Sequence, residues 1–284
     1  MINKKIQITL LILGFLIVSL IPMEVKAASS LPYRSVTTTS STARFEKTGD
    51  YYIWVKDYKK LYCAKTKNGS ATCLKSLSKN SDYWIDNTVI TNGNTIYYLQ
   101  YKDATSSRPA TGTIYKTTVN GKQHKKITTI YNFDNICGYY DGKLYYSAFE
   151  EDEIGWLYHH TYEYDLNTGK TSLFLEDVIT QSSYGKYLIT MSSAGGGINR
   201  PFYLTDLNKK NKTKFANCSQ AVAYKDKVYY VKANSQGRYV IKSYTLSTKK
   251  TKTIKTLQNG ASGFVGRYKA GYSKNNKLYT VFYK

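Results

Sequence analysis

The chain repeats itself. Six times a turn pair is followed by an apolar residue and one or two tyrosines. The six are Gly49-Asp50-Tyr51-Tyr52-Ile53, Gly93-Asn94-Thr95-Ile96-Tyr97-Tyr98, Gly142-Lys143-Leu144-Tyr145-Tyr146, Gly185-Lys186-Tyr187-Leu188-Ile189, Asp226-Lys227-Val228-Tyr229-Tyr230 and Asn276-Lys277-Leu278-Tyr279-Thr280. Measured between Tyr52, Tyr97, Tyr145, Leu188, Tyr229 and Tyr279, the steps are 45, 48, 43, 41 and 50 residues. A unit of that length holding several short strands cannot bury both its faces alone, but units stacked round an axis can. The repeat therefore predicts an all-β fold, a β-propeller of six four-stranded antiparallel meanders.

The second unit is the clearest template. It predicts strands at Trp84 to Thr91, Asn94 to Tyr101, Gly112 to Thr118 and Gln123 to Ile130. Asn92-Gly93 and Asn120-Gly121 mark tight turns, because Asn-Gly accepts the positive φ that hairpin turns need. Asp141-Gly142, Thr168-Gly169 and Lys225-Asp226 repeat the device in later units. Neighbouring residues on a strand point to opposite faces. Runs such as Ile96-Tyr97-Tyr98-Leu99 and Val228-Tyr229-Tyr230-Val231 are apolar on both faces, as a blade between two neighbours requires. Tyrosine is the compositional outlier at 30 residues, and it buries a ring while its hydroxyl finds a partner.

The ends carry separate expectations. Met1-Ile2-Asn3-Lys4-Lys5, the apolar run Ile6 to Met23 and the small-residue site Val25-Lys26-Ala27 read as a secretory signal over residues 1–27. No second apolar stretch of spanning length follows, so the processed chain is expected to be exported and to have no transmembrane segment. Residues 28–44 read as a Ser/Thr-rich linker that becomes a strand near Tyr33–Thr38 and closes the last blade. Residues 45–284 form the propeller, with the last unit two strands short.

The pattern at Asn94–Leu99, Gly112–Lys116 and Asn120–Ile127 resembles exported proteins of Gram-positive bacteria, mostly clostridial. Their repeats are described as like the β-propeller of the low-density lipoprotein receptor and are similar to TolB-type propellers. The resemblance covers about 45–284. It implies the architecture and a secreted or wall-associated location, and it brings no catalytic motif.

Charge is the second informative feature. Residues 131–180 hold 2 basic and 10 acidic residues, while 221–284 hold 14 basic and 1 acidic. In a six-membered ring the third and sixth blades face each other, so an acidic sector opposes a basic one. A field of this kind concentrates polyanions. For an exported Gram-positive protein that means anionic wall polymer, and export argues against nucleic acid. The residues expected to bind it are Arg238, Lys249, Lys250, Lys252, Lys255, Arg267 and Lys269. Another surface protein is the other expected partner, and the oligomeric state is left open.

Catalytic and metal chemistry find little footing. Glu150-Glu151-Asp152-Glu153 lacks the alternating spacing of a calcium loop and reads as a solvated acidic loop. His159 and His160 are adjacent on a strand and cannot share one ion. Ser192-Ser193-Ala194-Gly195-Gly196-Gly197 precedes a strand rather than the helix that a phosphate loop needs. No G-x-S-x-G elbow is present. No metal, cofactor or catalytic residue is assigned. Asp86, Asp134, Asp141 and Asp206 are the carboxylates that an alternative, polysaccharide-active enzyme with a site at the propeller mouth would gather. Cys63 and Cys73 flank the Asn68-Gly69 turn at positions that would allow a cross-hairpin disulfide, while Cys137 and Cys218 read as buried thiols. The expectation is an exported, non-catalytic binding propeller at the cell envelope. A structural surface component that self-associates is the third reading.

Overall fold

The computed structural model describes residues 31–37, 47–105, 110–155, 157–193, 199–209 and 211–257. It also describes the backbone of three later strands, Ser262–Val265, Lys269–Lys274 and Lys277–Phe282. Among these residues there are 23 strands and no helix. An isolated strand, β1 (Arg34–Thr37), comes first. Six antiparallel meanders follow in sequence order. The first shows its second to fourth strands among the described residues, β2 (Tyr52–Lys56), β3 (Lys60–Ala64) and β4 (Thr72–Ser76); the second is β5 (Trp84–Thr91), β6 (Thr95–Lys102), β7 (Thr111–Thr118) and β8 (Lys125–Tyr131). The third is β9 (Phe133–Tyr140), β10 (Lys143–Glu151), β11 (Leu157–Asp165) and β12 (Thr171–Leu175); the fourth is β13 (Val178–Tyr184), β14 (Tyr187–Ser192), β15 (Arg200–Asp206) and β16 (Asn211–Cys218). The fifth is β17 (Gln220–Tyr224), β18 (Lys227–Ala233), β19 (Tyr239–Thr245) and β20 (Thr251–Thr256), and the sixth is β21 to β23, the three later strands. The second unit lies within two residues of its expected bounds. The sixth has three strands where two were expected.

The tyrosine pairs explain why the meanders stack. Tyr98 packs with Ile53, Leu61 and Ile85 toward the first meander, while its neighbour Tyr97 packs with Ile136 and Leu144 of the third. Tyr146 faces back into that same layer, whereas Tyr145 faces Leu188 of the fourth meander. Tyr230 and Tyr229 divide in the same way. The Tyr97–Tyr98 and Tyr145–Tyr146 pairs thus each fill two inter-blade layers at once, and each buried ring is worth about 2 kcal/mol over exposure. The first strands β5, β9, β13 and β17 lie side by side toward the axis.

The turns follow the expectation with one difference. Asp141 and Gly142 both have positive φ, whereas of Asn92 and Gly93 only the glycine does, at +92°. Asn92 instead accepts, at its side-chain oxygen, hydrogen bonds from Asn94 and Thr95 N–H, which makes a three-residue loop. Gly93 is needed there for a second reason. A Cβ would stand 2.6 Å from the carbonyl oxygen of Thr48 in the adjoining meander.

The N-terminal strand is not where the pattern suggested. Its partner is not the last meander. β1 lies between two first strands, pairing Arg34, Ser35, Val36 and Thr37 with Thr91, Ile90, Val89 and Thr88 of β5, and Arg34 with Tyr184 of β13. It joins the second and fourth meanders into one nine-stranded sheet, with β9 beside it. The physical reason is visible in its residues. Arg34, Ser35 and Val36 are all buried, and a ring-closing edge strand would leave a side in water. Ser35 and Ser183 exchange hydrogen bonds, each backbone N–H donating to the other's hydroxyl, at 3.1 and 2.9 Å. β1 is built for the channel.

Candidate functional site at the polar end of the channel

Because strands alternate in direction, the first strands all begin at one end of the ring, and the loops between second and third strands gather there too. The other end holds the turns between first and second strands. At that second end the chain fills the channel with its own residues. Tyr33 lies against Tyr139 and Tyr97, with ring centroids 4.1 and 6.0 Å away. The Tyr33 carbonyl accepts from Gly185 N–H at 2.7 Å. Arg34, 5% exposed, donates from Nε to Thr48 Oγ1 at 2.9 Å and from its terminal nitrogen to the Lys47 carbonyl at 2.6 Å. Its guanidinium lies 5.6 Å from the centre of the Tyr224 ring.

The first end is polar. Three first strands are interrupted there by bulges. The register of β5 jumps from Ile85↔Gln100 to Val89↔Tyr98, leaving Asp86, Asn87 and Thr88 against Leu99. In β9 the skipped residue near this end is Asp134, and in β13 it is Gln181. Bulges re-aim side chains and concentrate beside functional sites. Asp86 accepts from Thr88 N–H at 2.6 Å, and Thr88 shares a 2.8 Å hydroxyl contact with Thr37 at the end of β1. Burial pushes the Asp86 carboxyl above its usual range, against the pull of that N–H. Burial, then the negative charges of Asp86 and Asp103, push the Tyr101 hydroxyl up to about 12. The Tyr101 ring touches Phe133 at 5.3 Å. Beside Phe133, Asp134 Oδ2 accepts a hydrogen bond from His159 Nδ1 at 2.8 Å, both side chains being about one-quarter exposed.

The acidic loop joins this end. Glu150 accepts from the Tyr162 hydroxyl at 2.6 Å, and Asp152 accepts from Ile154 N–H at 3.0 Å and from the Tyr158 hydroxyl at 3.2 Å. The Glu150 and Asp152 carboxylates are thus taken up by hydroxyls and backbone. Among the described residues no three His, Cys, Asp or Glu side chains converge as a metal site. Tyr58, Tyr83, Tyr131 and Tyr158 stand at the same end, between 41 and 62% exposed. Tyr58, Tyr83 and Tyr131 escaped the sequence reading. Their one signal was position, since all three lie outside the repeated cassette.

The four nominated carboxylates divide. Asp86 and Asp134, each followed by asparagine, occupy matching bulges at the polar end. Asp141 sits in the turn at the other end with φ +46°, and Asp206 there pairs with Lys186 at 2.9 Å. The two pairs do not meet.

The nominated cations do not form a pocket. Lys249 and Lys250 are in the β19–β20 turn, Lys252 and Lys255 on β20, and Arg238 just before β19; all five are exposed. Lys255 pairs across from Ile241, so the strip runs along the outer edge of the fifth meander from Lys249 toward Arg238. Arg267 and the Lys269 side chain lie outside the described residues, as do 1–30 and 194–198, which include Gly195, Gly196 and Gly197.

All four cysteines are free thiols. The Cys63–Cys73 register is off by one, with Cys63 opposite Thr72 and Tyr62 opposite Cys73. The physical reason is a bulge after Leu61 and a loop longer than the expected two-residue turn. Burial raises the Cys63 thiol and pushes Cys137 up to about 12. In both, burial disfavours the thiolate that a nucleophile needs.

No protein-family model and no curated protein matches this sequence. Solved structures do. The chain is similar to a prolyl endopeptidase (TM-score 0.60, 16% identity, over 88% of this chain and 41% of that one). It is similar to TolB from Acinetobacter baumannii (0.52, 14%, 88% and 61%) and to an oligogalacturonate lyase from Vibrio parahaemolyticus (0.54, 11%, 89% and 82%). The chain thus spans less than two thirds of the first and second of these proteins. Together with the strand order they place it in the β-propeller class. At such identities the likeness is one of fold.

Proposed function

We propose that this chain is an exported, non-catalytic binding propeller of a Gram-positive cell envelope, and that it holds an anionic wall polymer along the outer edge of the fifth meander. The observation that carries this reading is the strip of Arg238, Lys249, Lys250, Lys252 and Lys255. It is linear, exposed and contained in one hairpin with its flanks. A linear polyanion matches a linear row of cations better than a pocket does, and the surrounding field steers it there. Lysine on outer strands has a plainer use, since it blocks edge-to-edge pairing, and Lys125, Lys126, Lys212 and Lys214 stand on other edges. The sequence around the fourth edge, with Lys209, Lys210, Lys212 and Lys214, is as dense in lysine; the fifth differs by its setting, the stretch 221–284 with 14 basic residues and 1 acidic.

The test is binding of 28–284 to isolated walls, before and after removal of teichoic acid, across a salt series. Changing Lys249, Lys250, Lys252 and Lys255 to Glu should lower wall binding at least tenfold. The matched change of Lys122, Lys125 and Lys126 should cost much less. Equal losses per charge would reduce the effect to net charge, and no binding at low salt would end the reading.

A second reading rests on the Asp134–His159 pair and Asp86, gathered at the polar end beside exposed tyrosines. It makes the chain an enzyme acting on acidic polysaccharide, as the name of the lyase neighbour invites. Unsaturated products released from polygalacturonate by the wild type, and lost in His159→Ala, would put this reading in place of the first.

A further inference from the structure

The outermost strands of the first five meanders can be compared directly, because each ends its sheet. β4 carries Lys75, β8 carries Lys125 and Lys126, β16 carries Lys212 and Lys214, and β20 carries Lys252 and Lys255. β12 carries none. Its sequence is Thr171-Ser172-Leu173-Phe174-Leu175, with Leu173 47% exposed. A sheet edge presents a row of backbone N–H and C=O groups to any extended chain, and lysine is a usual guard against that. Of these five edges this one alone lacks the guard.

What lies beside that edge gives it chemistry. Past Leu175 the chain turns through Glu176 and Asp177, both exposed, into a groove of about 600 Å³ between the third and fourth meanders. Its walls are the β12 side chains, Val178, Ser192 and Tyr203, with Lys212 lying 4.8 Å over the Tyr203 ring. The turn is held rigid. Asp177 has φ +51°, its N–H donates to His160 Nδ1 at 3.4 Å, and its carbonyl accepts from Ser193 N–H at 3.0 Å. The meander around it, residues 131–180, holds 10 acidic and 2 basic residues in a chain of net charge +22.

We propose that β12 is a docking edge for an extended, basic segment of another protein. The segment adds to the third meander as a fifth strand, places an apolar side chain in the groove beside Phe174 and Tyr203, and sets a lysine or arginine against Glu176 and Asp177. Main-chain hydrogen bonds supply affinity and the alternate side chains supply selectivity in this mode of recognition. Charge names the partner's sign. A second copy of this chain is the poorer occupant, because its other outer strands bear the lysines that obstruct such pairing and its own β12 would bring together two meanders of 10 acidic and 2 basic residues each.

The test uses 28–284 and a short fluorescent peptide that alternates lysine and valine, read by anisotropy at fixed salt. Two control peptides carry the same composition interrupted by proline, or glutamate in place of lysine. The wild type should bind the first peptide and neither control. Leu173→Lys, which puts on β12 the charge its counterparts carry, should weaken binding at least tenfold. The pair Glu176→Gln and Asp177→Asn should weaken it several-fold, while reversal of the β20 lysines should not weaken it. Equal binding of the proline peptide would mean charge attraction without strand addition and would overturn the proposal. So would indifference to Leu173→Lys. Self-association of 28–284 that Leu173→Lys abolishes would also overturn it, by making a second copy the occupant.

Discussion

The two ends of the channel are built from the same repeats and have opposite contents. At one, Tyr33 and Arg34 fill the space among Tyr97, Tyr139, Thr48 and Tyr224, and Arg34 keeps only 5% of its surface. At the other, bulged first strands present Asp86, Asp134 and Gln181, and exposed tyrosines stand around them. The difference teaches where each end spends its interactions. The filled end ties four meanders together and should govern stability. The polar end holds a half-buried carboxylate at some cost, and such costs are tolerated where a surface has a use.

The sharpest way to break this comparison is Arg34→Ala. It removes the hydrogen bonds that a cation makes to Thr48 Oγ1 and the Lys47 carbonyl and leaves both acceptors without that donor. The expected loss is about 3 kcal/mol, the range for charged hydrogen bonds and an emptied site together. Arg34→Lys should restore only part of it, since a compact ammonium lacks the planar fork that reaches Thr48 and the Lys47 carbonyl while lying near the Tyr224 ring. Urea midpoints at constant slope measure both. A loss below about 1 kcal/mol for the alanine variant would show that β1 is an ornament of the channel, and the contrast between the ends would fail.

Much of the ring was legible in the sequence, and the reason is its period. Ile96-Tyr97-Tyr98-Leu99 declares a strand buried on both faces, and repetition of that run at steps of 41 to 50 residues leaves few other architectures. The place of β1 was not legible. Arg34-Ser35-Val36-Thr37 reads as a strand, and so it is, but its partners lie about 50 and 150 residues away and no local pattern names them. The polar end was half legible. Asp86-Asn87 and Asp134-Asn135 are visible as a pair once the units are aligned, yet the bulges that gather them depend on cross-strand register. Nor could spacing decide the Cys63–Cys73 pairing, because one bulge after Leu61 moves the register by a residue.

A smaller effect is expected from His159→Ala. The pair with Asp134 is about one-quarter exposed on each side, so its removal should cost no more than about 1 kcal/mol. Loss of several kcal/mol, comparable with Arg34→Ala, would erase the distinction between a structural end and a functional one. A small loss of stability accompanied by a large loss of wall or polysaccharide recognition would sharpen it.

The smallest effect should have the opposite sign. Asp86 has its pKa raised by burial in the folded chain, above the 3.8 of an unperturbed carboxyl. A carboxyl of that kind holds its proton more tightly when the chain is folded. Its favourable contribution is complete below the unfolded pKa and is lost as pH rises through the folded value. At neutral pH it therefore weakens the fold. Asp86→Asn keeps an oxygen to accept from Thr88 N–H and removes the charge, so the melting temperature at pH 7 should rise by a few degrees at most. The gain over wild type should shrink as pH falls toward and below 3.8, where the aspartate is itself neutral. Melting curves for both proteins across that range decide the matter. If the variant is less stable at pH 7, the Thr88 hydrogen bond outweighs burial and Asp86 belongs with Arg34 among the residues that hold the ring together.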